Sequence, residues 1–413
     1  MRETAKTPAK ESERTFVVRV VDSVTHIDRS VWEELAGASP AVAGETTQAT
    51  SPNPFVSHAF LSSLEDSACV GERAGWLPQH LILEDEAGQA IAAAPAYLKS
   101  HSQGEYVFDQ GWADAFQRAG GRYYPKLQMS VPFTPASGPR LLVGQTPGAD
   151  IRRQALAESA KTYAERTGVS SVHATFLIDK DLSVLEDSDW LHRTDQQFHF
   201  LNRGYDTYEA FLDTLASRKR KTLRRERREA LENDIEIVWL TGSDLTEEAW
   251  DAFYAFYLDT GSRKWGRPYL NRRFFSLIGE RMADQTLLVM ARRGGRYIAG
   301  ALNFIGADTV YGRNWGCIEE HPFLHFEVCY HQAIDYAIAH KLAVVEAGAQ
   351  GQHKLARGYE PVTTHSAHWI GHPGLRRAVE DYLESEREEV ARVSEILGEH
   401  TPYKKGDGGA SQS

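Results

Sequence analysis

The chain has 413 residues, 42% of them hydrophobic, with 46 basic against 57 acidic side chains and a formal charge of −11. Such a length exceeds one ordinary core and predicts two domains of roughly 200 residues, while the acidity argues against bulk capture of DNA. Three cysteines without a CxxC pair exclude a disulfide framework or a cysteine zinc site, and no apolar run reaches the roughly 18 residues of a membrane span.

In chain order, residues 1–15 read as a mobile polar N-terminus without the apolar stretch of a secretory signal, so a cytoplasmic location is expected. VVRVV (17–21) predicts a strand, followed by a helix around Trp32 and a mobile loop of small, polar residues at 38–52. NPFVSHAFLSSL (53–64) opens a second, amphipathic helix, and residues 81–98 alternate around Gly88 as a β-hairpin. An insertion, GGRYYPKLQMSVPFTPASGPR (120–140), precedes the turn QTPGAD (145–150), where Asp150 reads as the N-cap of a helix over 151–167. Strands follow at 170–177 and 196–202.

Next come a helix over 206–216 and the run SRKRKTLRRERRE (217–229), in which eight of thirteen residues are Lys or Arg. Ser217 reads as the N-cap of a helix running to about Leu231, with Leu223, Ala230 and Leu231 as its apolar stripe. Only Arg225 and Glu229 are spaced for an internal i,i+4 ion pair, so most of this charge is expected to face outward. Beyond it the pattern predicts a strand at 235–240, helices at 246–259 and 271–282, and a hairpin at 286–305 around Gly295. A strand at 309–315, a helix over 324–341, strands at 343–348 and 364–371 and a closing helix at 374–397 complete the chain.

Three of these segments repeat in the same order. VVRVV with the helix of Trp32 matches IEIVW (235–239) with the helix of Trp250 at an offset of 218. NPFVSHAFLSSL matches RPYLNRRFFSLI (267–278) at 214, and LILEDEAGQAIAAAPAYL matches LVMARRGGRYIAGALNFI (288–305) at 207. Steadily shrinking offsets are what a duplicated domain leaves after deletions in its loops. The expected division is a first domain at 16–203, a basic helical connector at 204–234, a second domain at 235–400 and a mobile tail at 401–413.

Strand, two helices, three antiparallel strands, helix, strand, then a last helix and strand is the order of a GNAT acyltransferase unit. That is an α/β (α+β layered) fold with a mixed, centrally antiparallel sheet. The segments NPFVSHAFL, YYPKLQMSVPFTP, SGPRLL, SRKRKTLRRERR, YGRNWG, HFEVCYHQAI and EAGAQGQHKLARGYEPVTTHSAHW span about 53–370. Through them the chain resembles the bacterial FemAB-like, "peptidoglycan biosynthesis-like" family of N-acyltransferases, with two tandem GNAT-like domains. The resemblance implies transfer of an acyl or aminoacyl group to an amine, with acyl-CoA or aminoacyl-tRNA as co-substrate and no tightly bound cofactor. GNAT enzymes that use coenzyme A show a Gln/Arg-x-x-Gly-x-Gly/Ala turn at the central helix. Here the second copy has CIEEHPFLH (317–325), whose glutamates repel a pyrophosphate, and QTPGAD in the first copy is a near miss. This fits a Fem-type donor, aminoacyl-tRNA, although the long helical arm of many such enzymes is missing between 200 and 240.

The densest polar cluster, Glu346 to His368, begins where an apolar strand ends. N-acyl transfer needs a base for the amine, donors for the tetrahedral oxyanion and an acid for the leaving group. Glu346, His353 or His365 is the expected base, and Tyr359 or Tyr311 the acid. Gln350, Lys354, Arg357 and His368 are expected to bind substrate, Lys354 and Arg357 as a fork for phosphate or carboxylate. Arg313 and Trp315 alternate along a strand and so share a face as further substrate contacts, while Lys219 and Arg224 meet an anionic acceptor or carrier. The plainer alternatives are a polar surface loop, a packed arginine and a solvated helix.

Glu327 reads as a charge favouring a helix N-terminus, and Cys317 beside His321 as a small buried residue rather than a nucleophile. No HExxH, Walker or dinucleotide pattern occurs, so no metal is expected. The sequence thus points to an N-acyltransferase acting on an amine of an anionic acceptor, with tRNA as a candidate donor, no DNA partner and no transmembrane segment. The competing class is a catalytically inactive GNAT-fold protein that binds RNA or an anionic cell-envelope precursor.

Overall fold

The computed structural model describes residues 16–38, 52–264, 268–348 and 351–404. The first half of the chain supplies strands β1 (Val17–Val21), β2 (Trp76–Pro78), β3 (His80–Glu84), β4 (Ala90–Ala94), β5 (Ala96–Lys99), β6 (Lys126–Met129), β7 (Ser171–Thr175) and β8 (Leu191–Leu201). The second supplies β9 (Ile235–Leu240), β10 (Thr286–Arg293), β11 (Arg296–Ile305), β12 (Thr309–Cys317), β13 (Val344–Glu346) and β14 (Glu360–Ile370). A three-stranded sheet, β1–β3–β4, stands beside an eleven-stranded sheet in the order β2–β5–β6–β7–β14–β8–β13–β12–β11–β10–β9.

That order has the halves exchanging their last strands. β14 pairs with β7, and β8 pairs with β13, while β8 and β14 run antiparallel to each other at the centre. In the second half β12 and β13 are parallel over only three positions, ending at Tyr311 and Glu346; β6 and β7 likewise pair at three. Past that point β12 continues to Cys317 without β13 beside it, which opens the sheet on its own plane.

Local chemistry explains why the copies match. Ser57 Oγ caps the helix His58–Asp66 through Phe60 N, and Asn271 Oδ1 caps the helix Arg272–Arg281 through Phe274 N, both at 3.1 Å. The two caps stand 214 residues apart, the offset of the repeat. Gly294 and Gly295, at φ 56° and 78°, make the two-residue turn of the β10–β11 hairpin, a conformation that suits residues without a Cβ. One core joins the halves, with Trp32, Phe55 and Phe60 against Trp250, Phe275, Phe304 and Tyr311. A second core, with Val328, Tyr330 and Ile334, covers the opposite face of the second half's sheet.

Several local expectations are corrected. The first long helix is Ala149–Thr167 with Gly148 at its N-cap, and Asp150 sits inside the first turn, bound to Arg153 at 3.0 Å. The basic helix is Ser217–Ala230, capped by Ala216 with no side-chain bond, so Ser217 is already helical. Leu231 is exposed and Glu226 takes its place among the buried residues. The helix expected over 324–341 has three parts, Leu324–Phe326, a π-helical turn Glu327–His331 and Gln332–Ala339. Its Glu327 is fully buried and bridged by Arg227 at 2.8 Å, so it is an ion-pair partner rather than a solvated terminal charge.

Candidate active site

Glu346 is the last residue of β13, where the ladder to β12 stops. In register it faces Tyr311 on one side and His199 of β8 on the other, all in one row across the sheet. The residue is buried, and burial holds its carboxyl up at about 8 despite a hydrogen bond from the Ser137 N–H and the nearby charges of Arg313 and Arg140. Among the described residues its Oε2 has no hydrogen-bond partner. A carboxyl with one oxygen tied and the other free, ionising near neutrality, is equipped to take up and return a proton.

Ser137 comes from the first half, in the loop SVPFTPASGPR (130–140). Its proline and glycine content forbids regular ladders, so its carbonyls need other donors. Gln197 Nε2 donates to Pro135 O at 3.0 Å, Asn53 Nδ2 to Ser137 O at 3.0 Å, and Arg313 Nη2 to Phe133 O. Arg140 donates to Ala136 O at 2.8 Å and Pro139 O at 3.1 Å. Asp181 Oδ2 accepts from Arg140 N and Leu141 N at 2.6 and 3.0 Å, which anchors the far end. The loop is thereby preorganised, and its Ser137 N–H is aimed at Glu346 without a cost on reaction.

Lys354 lies in the 3₁₀ turn Gln352–Arg357 and is 1% exposed. Its Nζ donates to Gly348 O at 2.8 Å, two residues past Glu346, and burial lowers it to about 8. Among the described residues no carboxylate is paired with it. The same ammonium helps to keep His199 neutral, down at about 4, after burial. Arg357 does not form the expected fork with Lys354: it bonds Glu226 of the basic helix at 2.8 Å and covers the ring of Phe326.

Arg313 and Trp315 do not share a face. A bulge in β12 opposite Leu302 and Asn303 adds one residue, which reverses the alternation. Arg313 packs over Phe55 in the first core, near Glu346, whereas Trp315 stacks on His325 in the second. His353 bonds Tyr330 Oη at 2.9 Å on that second side, and Tyr359 is fully buried there with its hydroxyl 3.5 Å from Tyr330 O.

His365 and His368 sit elsewhere, on β14 within the first half's part of the sheet. His365 Nδ1 meets His192 Nε2 at 3.0 Å, and His368 Nδ1 meets His173 Nδ1 at 2.7 Å inside a buried network with Lys126 and Asp109. On the basic helix Arg224 is paired with Glu209, Lys219 is exposed and has no ion pair among the described residues, and Gln350 lies outside those residues. At the turn 145–150 the carbonyls of Thr146 and Pro147, with that of Val143, accept from Arg152.

Glu346, Arg313 and Tyr311 are therefore the expected residues that the fold brings together, with Lys354 held to Gly348 O just past Glu346. Arg140, Ser137, Gln197 and His199 complete the surroundings and were not anticipated. For Gln197 and His199 a signal existed, polar residues alternating inside the apolar strand QQFHFLN. For Arg140 the loop's resemblance to the family was visible, but its contact with a residue about 200 positions away was not.

A FemAB-like family model, described as peptidoglycan biosynthesis/recognition, matches residues 23–405. The chain belongs to the FemAB-like family. The crystal structure of FemX aligns with this member at TM-score 0.51 and 12% identity, covering 86% of this chain and 99% of that one. A tandem GNAT protein from the clavulanic acid biosynthesis pathway aligns at 0.44 and 13%, covering 87% and 99%. L-PGS from Bacillus licheniformis aligns at 0.47 and 9%, covering 82% and 95%. At such identities the likeness to FemX speaks for the fold, which is the tandem GNAT-like arrangement that the sequence predicts. No curated protein matches the chain. Among the described residues no helix is long and apolar enough to cross a membrane.

Proposed function

We propose that this FemAB-like protein is an N-acyltransferase that moves an acyl or aminoacyl group to an amine of an anionic acceptor, with Glu346 as the base. One observation carries the reading: a buried carboxyl ionising near neutrality, with a free oxygen, at the point where β12 and β13 part. The acceptor nitrogen attacks the acyl carbonyl while Glu346 takes its proton. The new C–N bond forms, the tetrahedral oxyanion collapses, and the bond to the donor's oxygen or sulfur breaks. That leaving atom receives the proton held by Glu346, so the carboxylate is restored. Lys354, a buried cation bonded only to a carbonyl among the described residues, supplies positive charge for the oxyanion or for a donor phosphate.

The acceptor's charge is read from the basic helix. Arg220, Arg224 and Arg227 are spent on Asp213, Glu209 and Glu327. Arg218, Lys221, Arg225 and Arg228 recur at helical spacing and leave an outward stripe about 15 Å long, on which, among the described residues, Arg225 alone has an ion-pair partner, Glu229 at 3.5 Å. The link Glu226–Arg357 ties this helix to the turn that carries Lys354. The purified protein should be screened by mass spectrometry with acyl-CoA and aminoacyl-tRNA donors and anionic amine acceptors. Glu346→Gln is expected to lower kcat by roughly 10²- to 10⁴-fold with the fold intact; undiminished transfer by this variant overturns the assignment.

A further inference from the structure

A cavity of about 100 Å³ lies beside the parting of β12 and β13, lined by Asn303, Gly312, Trp315, Cys329, Tyr330 and Ala347 among others. Trp315, Tyr330 and Ala347 belong to the second core, and Arg313, which also lines the cavity, packs over Phe55 of the first and neighbours Glu346. Arg313 thus joins the cavity to the Glu346 carboxyl at the parting of the strands.

Among its polar lining residues Asn303 is 1% exposed. The amide nitrogen donates to Leu287 O at 3.4 Å and Ala301 O at 3.2 Å, and among the described residues the amide oxygen has no partner. That oxygen lies over Gly312, where an added Cβ would stand 3.4 Å from it. The β12 bulge causes this arrangement, because the extra residue turns Arg313 to the other face and leaves the glycine under Asn303. A buried acceptor without a donor is unfavourable, so this oxygen calls for an N–H or O–H from a bound group.

We propose that this cavity holds the group being transferred and selects a small acyl group that carries a hydrogen-bond donor on the carbon next to its carbonyl. The volume admits roughly three to five heavy atoms, judged against about 30 Å³ per water. Asn303 Oδ1 accepts from the α-amino or α-hydroxy group, and the rings of Trp315 and Tyr330 wall the space around it. Asn303 and Gly312 are then the residues that set acyl specificity. This deepens the acyl-transfer reading and rests on it for the meaning of the bound group.

The test reads binding without turnover. Glycinamide, glycolamide, acetamide and hexanamide are titrated into the full-length protein and followed by saturation-transfer NMR. Glycinamide and glycolamide distinguish the amino from the hydroxy source; either or both should bind roughly five-fold more tightly than acetamide, and hexanamide should not bind. Asn303→Leu should erase the preference over acetamide. Gly312→Ala, a site with room for a methyl group and no unusual backbone, should weaken all the small amides while leaving the circular dichroism unchanged. Equal binding of acetamide and the donor-bearing amides, a preference that survives Asn303→Leu, or no binding of any amide overturns the cavity assignment. Failure of Glu346→Gln to slow transfer removes the base instead, so the two readings fail separately.

Discussion

Burial and ionisation oppose each other at Glu346, and the sign of the consequence can be worked out. In the unfolded chain this carboxyl loses its proton near 4.5, in the fold near 8. Between those values the folded chain binds more protons than the unfolded one, so stability falls as pH rises and the loss is complete above about 8. The gap corresponds to on the order of 4–5 kcal/mol at full ionisation. Calorimetry from pH 5 to 9 should therefore show a flatter curve for Glu346→Gln, with the variant more stable than the parent at pH 9. The rate of transfer should rise through the same range, because the base must be ionised. Lys354 behaves in the reverse way: its folded value near 8 lies below the free value of 10.5, so its penalty is full below 8 and fades towards 10.5. Lys354→Met should accordingly stabilise the protein at pH 6, not at pH 11, while transfer is lost at both.

Elements follow local rules where the neighbours are local. Ser57 and Asn271 were readable as part of a repeated pattern because a cap acts within three residues. The faces of β12 were not, because one bulged residue reverses every position beyond it and only pairing with β11 reveals the bulge. Close packing of helix on strand leaves another check. A Cβ at Gly316 would lie 2.1 Å from Phe256 O in the helix Glu247–Lys264, so Gly316→Ala is expected to cost about 1–3 kcal/mol in urea unfolding. The basic helix gives a third. Lys221→Glu with Arg228→Glu should raise KM for an anionic acceptor and reduce its dependence on salt, with kcat unchanged, since neither side chain is spent on an ion pair. An unaltered KM would show that the stripe faces only solvent.

At the scale of the whole molecule, exchanged last strands and a shared core make the halves dependent on each other. A chain ending at Arg203 lacks β14, which leaves β7 paired with β6 alone, its other edge open along Ser171–Thr175, and exposes Trp32, Phe55 and Phe60. Such a fragment should show no cooperative thermal transition by circular dichroism, and the full chain should melt in one step; an independently melting fragment would refute this.

Composition, hydrophobic period and internal repetition, all short-range or additive properties, were enough for the sequence to determine most strands and helices and the duplication; motif segments carried the family resemblance, and Glu346 and Lys354 stood among several candidates in a polar cluster. Tertiary structure alone decided that the first half's proline-rich loop closes on Glu346, that His365 and His368 stand apart from it, and that most of the basic run's inner charges are neutralised. Those outcomes depend on contacts between residues hundreds of positions apart, such as Ser137 with Glu346 and Arg227 with Glu327, and on a β-bulge. Neither the period of a pattern nor the charge of a segment carries that information, because which partners meet is set by how the two copies interleave.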